Sequence, residues 1–204
     1  MKEKSLTPLM RCHLVLMAVL AVMSIVSIVS LLSGAVMSGA MLPARYKTSM
    51  IFEIVLNVVN VIALSAGIVY IQERYSKRAA AVYKAFLVLT AVSCVFSAVT
   101  GAYRLTASDA VPAAQYVLRA VLPMAVRLVL LLMLAFGRDL GKRKNWIIFG
   151  AILVLDVVYS LLCIVPGDMG FAWITTVFAR LVMDGTIGLS IRGKYADKDA
   201  RGTT

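Results

Sequence analysis

Six stretches of this chain, at about 13–33, 50–72, 81–102, 116–137, 146–165 and 170–191, stay apolar for long enough to cross a bilayer. A spanning helix needs about 20 such residues at 1.5 Å rise per residue. In hydrocarbon the backbone has to satisfy its own hydrogen bonds, which leaves helices or closed barrels. The stretches lack the period-two alternation of barrel strands, so helices are expected. The predicted fold class is all-α: a polytopic membrane protein, one six-helix domain over residues 1–204, with 192–204 as a cytoplasmic tail. Composition agrees. The 204 residues are 61% hydrophobic and 15% charged, against about 45–50% and about 25% in soluble domains.

The basic residues set the expected orientation. Lys2, Lys4 and Arg11 precede the first span, and Arg74, Lys77 and Arg78 fall between the second and third. Arg138, Lys142, Arg143 and Lys144 separate the fourth and fifth, and Arg192, Lys194, Lys198 and Arg201 follow the sixth. The alternate loops hold only Arg45, Lys47 and Arg104. The positive-inside rule puts both termini in the cytoplasm, and the pattern suits a bacterial plasma membrane. The net charge of +11 would suggest nucleic acid in a soluble chain. Here the cations flank apolar runs, so nucleic acid is excluded and anionic headgroups at the cytoplasmic loops are the expected partners. A protein partner at the same face is an open alternative.

Four charges break the apolar pattern: Arg127, Asp156, Arg180 and Asp184 lie near the centres of spans four to six. Each costs about 2.5–3.5 kcal/mol at mid-bilayer on insertion scales, so a neutral set of four points to a polar interior. Arg180 and Asp184 are four apart and share a face, extended outward by Thr176 and Trp173. They either pair along the helix, or Arg180 is shared between Asp156 and a ligand anion. Arg127 has no acid at helical spacing. Its partner comes from another helix, Asp156 or Asp184, or it faces water. Pro123 removes one helical hydrogen bond and exposes the carbonyl of Arg119. On the second span Glu53, Asn57 and Asn60 follow i, i+4, i+7 and face the interior. Glu53 is a candidate gate or proton carrier.

Other features read as architecture. Ser24, Ser27 and Ser30, and Thr90, Ser93, Cys94, Ser97 and Gly101, make stripes that let helices approach closely. Lys84 and Arg119 lie near helix ends and can snorkel. The first span is expected to be retained rather than cleaved. Residues 34–49 read as a connector, and the run from Pro166 to Gly170 as a tight turn that makes the last two helices a hairpin, with Asp156 and Arg180 at similar depth. A six-residue echo between Val55–Asn60 and Val154–Tyr159 is put down to chance between two apolar helices.

No metal or other cofactor is expected. Cys12, Cys94 and Cys163 form no CxxC pair, His13 is the lone histidine, and GxxxxGK[ST], HExxH and GxSxG are missing. Asp156 and Asp184 could form an aspartyl dyad, but neighbouring arginines would hold both ionised. The leading expectation is a transport protein, or the membrane-embedded substrate-binding component of a transporter, for a small anionic or zwitterionic solute. Arg127 and Arg180 would contact the solute, Asp156 and Asp184 would orient them or engage an amine, and Asn57 and Asn60 would complete the hydrogen bonding. The alternatives are a non-transporting membrane subunit locked by its charges, and an intramembrane enzyme. Helix number, length and basic loops resemble the substrate-binding subunits of energy-coupling-factor vitamin importers in architecture. Ala18 and Ala21 stand three apart and depart from the AxxxA spacing with which such subunits dock their partner.

Overall fold

The computed structural model describes residues 7–38, 44–74, 76–107, 115, 117–137, 141–163 and 171–201. Its helices are α1 (Pro8–Ser38), α2 (Ala44–Gln72), α3 (Ala79–Ala107), α4 (Leu122–Phe136), α5 (Lys142–Leu162) and α6 (Phe171–Arg201), with a π-helical turn at Val117–Val121 leading into α4. All six spans are long and apolar enough to cross a membrane, so the chain is an all-α six-helix bundle of the integral membrane class. The turn expected from Pro166 to Gly170 lies outside the described residues, as do residues 39–43 of the expected connector, whose two ends are instead helical, in α1 and α2.

Several helix boundaries differ from the sequence reading, those of α1, α5 and α6 among them. Helix α1 begins at Pro8 and runs to Ser38, with proline at its first position, where its missing N–H costs nothing. Helix α5 ends at Leu162. The stretch after 192 continues α6 to Arg201. Ile191 and Tyr195 are buried, and Asn145 Nδ2 donates to Tyr195 Oη at 2.6 Å. Tyr195→Phe leaves the buried Asn145 without that acceptor and should lower stability by about 1 kcal/mol, read as a small shift of the unfolding midpoint in detergent.

Consecutive helices pack side by side, and α6 closes the ring against α1 while also packing on α2. Of the most apolar stretch of α1, 22% is buried, against 61% for α6. One helix is therefore peripheral and the other central. The chemistry of α6 shows the same. Thr186 Oγ1 meets His13 Nε2 of α1 at 2.9 Å, and Ser190 Oγ accepts from Tyr70 of α2 at 2.8 Å. The Met183 sulfur accepts from Thr90 of α3 at 3.9 Å. Asp184 pairs with Arg127 of α4, and Arg180 with Asp156 of α5. One helix thus makes a polar contact with every other. Interhelical hydrogen bonds and close packing hold membrane bundles together, since lipid supplies no hydrophobic force between helices.

The outer surface is the complement. Val15, Val19, Val22, Val26 and Val29 of α1 are exposed, as are Val154 and Leu161 of α5. In a soluble protein such a surface would aggregate. Here it is the face offered to acyl chains. The stripe on α3 does the packing expected of it: Thr90, Ser93, Cys94 and Ser97 are all buried. Three of them return their hydrogen bonds to the helix's own carbonyls, Thr90 to Phe86, Ser93 and Cys94 to Thr90.

Candidate functional site

Arg127 sits nine residues from either end of the Leu118–Phe136 span, about 13 Å from each end of the helix. Its guanidinium is fully buried. Arg127 Nη2 donates to Asp184 Oδ1 at 2.6 Å, and Nη1 points at Cys94 Sγ, 3.2 Å away. Its Nε lies 3.9 Å from Asp156 Oδ1, an oxygen that Arg180 Nε approaches to 3.2 Å. Arg180 Nη2 donates to Ser160 Oγ at 3.2 Å, and its guanidinium carbon stands 4.6 Å from the centre of the Tyr159 ring. The four charges therefore form one alternating chain, Asp184–Arg127–Asp156–Arg180, across α4, α5 and α6. None is more than 1% exposed.

On α6 this arrangement sets aside the local pair. Arg180 and Asp184 share a face, but each takes its partner from another helix. An acid four residues C-terminal to a cation is the weaker orientation for a local pair. The partner of Arg180 lies on α5, which runs antiparallel to α6, and that of Asp184 lies on α4, which runs parallel to it. Arg127 takes both of the acids proposed for it. The stacking of Arg180 on Tyr159 was not foreseen. Tyr159 and Ser160 follow Asp156 by three and four positions, and that shared face was the available signal. Cys94, read only as a packing residue, also forms part of the Arg127 environment.

Around the chain, hydrogen bonding is incomplete. Both Asp156 oxygens and Asp184 Oδ2 lack an aligned donor within the protein. Ser24 Oγ, Ser27 Oγ, Ser97 Oγ, Thr100 Oγ1, Asn57 Oδ1, Asn60 Oδ1 and Asn60 Nδ2 likewise have no hydrogen-bond partner within the protein. Asn57 Nδ2 is satisfied by the Glu53 carbonyl at 2.9 Å. Asn57 and Asn60 are fully buried, and neither bonds to any of the four charges. The helix register explains why these atoms recur together. The space beside Gly67 is filled by the Met17 methyl and by Phe86. Counting away from that point in antiparallel directions, seven residues bring Ser24, Asn60 and Ser93 to one level. Ten or eleven bring Ser27, Asn57 and Ser97 to the next. Thr90 bonding to Met183 puts Arg180 level with Ser93. The interior thus carries two amide and hydroxyl layers between α1, α2 and α3, facing α6 at Arg180. An orphaned buried polar group costs about 1–3 kcal/mol, so a cluster of them is unusual unless the region serves binding or holds water.

A small cavity opens beside the chain at the end of the bundle away from the termini. Glu53, Thr100, Tyr159, Trp173, Thr176 and Arg180 are among its walls. Its volume is about 20 Å³, room for about one water. Gly101 also lines it, and the Tyr159 hydroxyl occupies the space a β-carbon there would need. That close approach lets Tyr159 donate to the Ser97 carbonyl. The Pro123 expectation also takes form here. The π-helical turn and the proline open the backbone, and the Arg119 carbonyl is met by the Cys163 thiol at 3.7 Å.

The fold and this interior define a class: a polytopic α-helical membrane protein threaded by a neutral chain of buried ion pairs. No family model matches the chain, and no curated protein or solved structure matches it either.

Proposed function

We propose that the protein is an integral membrane transport protein, or the membrane-embedded substrate-binding component of a transporter, for a small anionic or zwitterionic solute. The observation that carries this is Arg180. One guanidinium belongs to the buried ion chain and at the same time forms the wall of a cavity shared with Glu53. A guanidinium presents five donors in a planar fork suited to carboxylate or phosphate. The orphaned groups of Asn57, Asn60, Ser24 and Ser27 support a second, neutral hydrogen-bonding surface for the rest of the solute. Asp156 orients Arg180, and Asp184 orients Arg127, whose position further along the chain from the cavity makes it the deeper of the two cationic contacts. With room for one water, the cavity has to widen before a solute enters, by movement of α6 against α2 and α3. Glu53, at the cavity wall, is placed to gate that opening or to carry a proton.

The basic loops support an orientation with both termini cytoplasmic, in a bacterial plasma membrane. A second reading, a subunit whose charges lock the helices, draws support from the 2.6 Å Arg127–Asp184 pair and its full burial. Native mass spectrometry of the protein extracted gently from its own membrane tests both. A small anionic or zwitterionic molecule released from the protein is the expected result. A stoichiometric protein partner with no small molecule would favour the subunit reading and sink the first.

A further inference from the structure

At the opposite end of the bundle, where α1 begins and α6 ends, a groove of about 460 Å³ opens between α2, α3, α4 and α6. It is separate from the ion chain. Its position is set by the ends of the spans that frame it, which are Gln72, Ala79, Phe136 and Tyr195. It therefore sits where hydrocarbon gives way to headgroups. Arg74, Lys84 and Lys194 line it, and none of its described lining residues is acidic. Leu87, Leu134 and Ala135 make an apolar floor, and Tyr70 and Tyr83 pack 4.8 Å apart, ring centre to ring centre, on one wall.

The cations are positioned rather than merely near. The Arg74 guanidinium lies against Gly193 of α6, in space that a β-carbon at that position would take, and its Nη1 meets the Met10 sulfur at 3.5 Å. Lys84 Nζ stands 4.1 Å over the Phe136 ring, which holds the ammonium at the rim. Tyr70 donates to Ser190 Oγ at 2.8 Å and fixes the inner wall. Three cations above an apolar floor at the membrane boundary match a molecule with an anionic head and an apolar body. Arginine and lysine are the usual recognition groups for phosphate, and basic pockets between helices at this depth suit lipid heads. We propose that this groove binds the phosphate-bearing headgroup of an anionic membrane lipid.

The test is native mass spectrometry of the protein from mixed micelles supplied with phosphatidylglycerol or with phosphatidylcholine. Wild type should retain phosphatidylglycerol at least ten-fold better. The double variant Lys84→Gln, Lys194→Gln changes two exposed side chains and should abolish the preference. Gly193→Val alters no charge but displaces Arg74, and it should weaken the preference in the same direction. Equal retention of the two lipids by wild type would overturn the proposal, and so would an undiminished preference in the double variant. Displacement of the lipid by millimolar glycerol phosphate would also overturn it, and would assign the groove to a soluble phosphoester instead.

Discussion

Replacing Arg127 by alanine should lower the stability of the folded bundle by about 3–5 kcal/mol, the cost of breaking a buried ion pair by removing one partner. The Arg127 guanidinium makes the shortest ion pair described, 2.6 Å to Asp184, and also faces Asp156 at 3.9 Å. Both carboxylates are 0% exposed. In the variant Asp156 keeps Arg180, whereas Asp184 is left with no cation at bridging distance. Unfolding in mild detergent, followed by the fluorescence of Trp146 and Trp173, measures the loss. An unchanged midpoint would mean that Asp184 is hydrated or neutral without its partner, and the chain would then not be what holds α4 to α6. The companion experiment is Arg127→Met combined with Asp184→Leu. Apolar replacement of a whole buried pair is often neutral or stabilising, so the double variant should recover most of the single variant's loss. Recovery of stability without recovery of solute binding separates the lock from the site.

The second large effect is expected at Arg180. Arg180→Gln should weaken binding of the solute released from wild type by about thirty-fold, because truncating one partner of a buried charge pair costs about 2 kcal/mol or more. Its effect on stability should be smaller than that of Arg127→Ala. Arg180 makes one hydrogen bond, to Ser160, and its approach to Asp156 at 3.2 Å is not an aligned one. Asp156 also retains Arg127. Arg180→Lys keeps the charge but loses the planar fork and the stacking on Tyr159, so it should rescue stability more than affinity. The check is titration of the identified solute into each variant, beside its unfolding midpoint. Wild-type affinity in Arg180→Gln would remove the cationic contact from the proposed site and leave Arg180 a structural residue.

Much of this was legible along the chain. Hydrophobic length alone yields six spans, since only a run of about 20 apolar residues can satisfy a bilayer. The charged tetrad was visible because a charge at mid-span is costly enough that its presence demands a reason. The level match of Asp156 and Arg180 followed from treating α5 and α6 as a hairpin, and the two side chains do meet. The face shared by Trp173, Thr176 and Arg180 was also readable, and all three reach the same cavity.

What could not be read was which charge pairs with which, and which helix stands at the centre. Periodicity fixes the face a residue occupies on its own helix, and it says nothing about the rotation of one helix against the next. Asp184 was equally free, by spacing, to pair with Arg180 on α6 or with Arg127 on α4. Only the tertiary arrangement, in which the Arg127 side chain reaches from α4 to α6, made the second contact. The same holds for the layers of Ser24, Asn60 and Ser93, which lie in three separate spans and come level only through the register set at Met17, Gly67 and Phe86. Sequence by itself determined that this chain crosses a membrane six times around a polar, electrically neutral interior, because transfer free energy is local and accumulates residue by residue. Tertiary structure alone decided the order of the ion chain, the central place of α6 and the two pockets at its ends, because those depend on relative rotations and distances between helices that no single segment encodes.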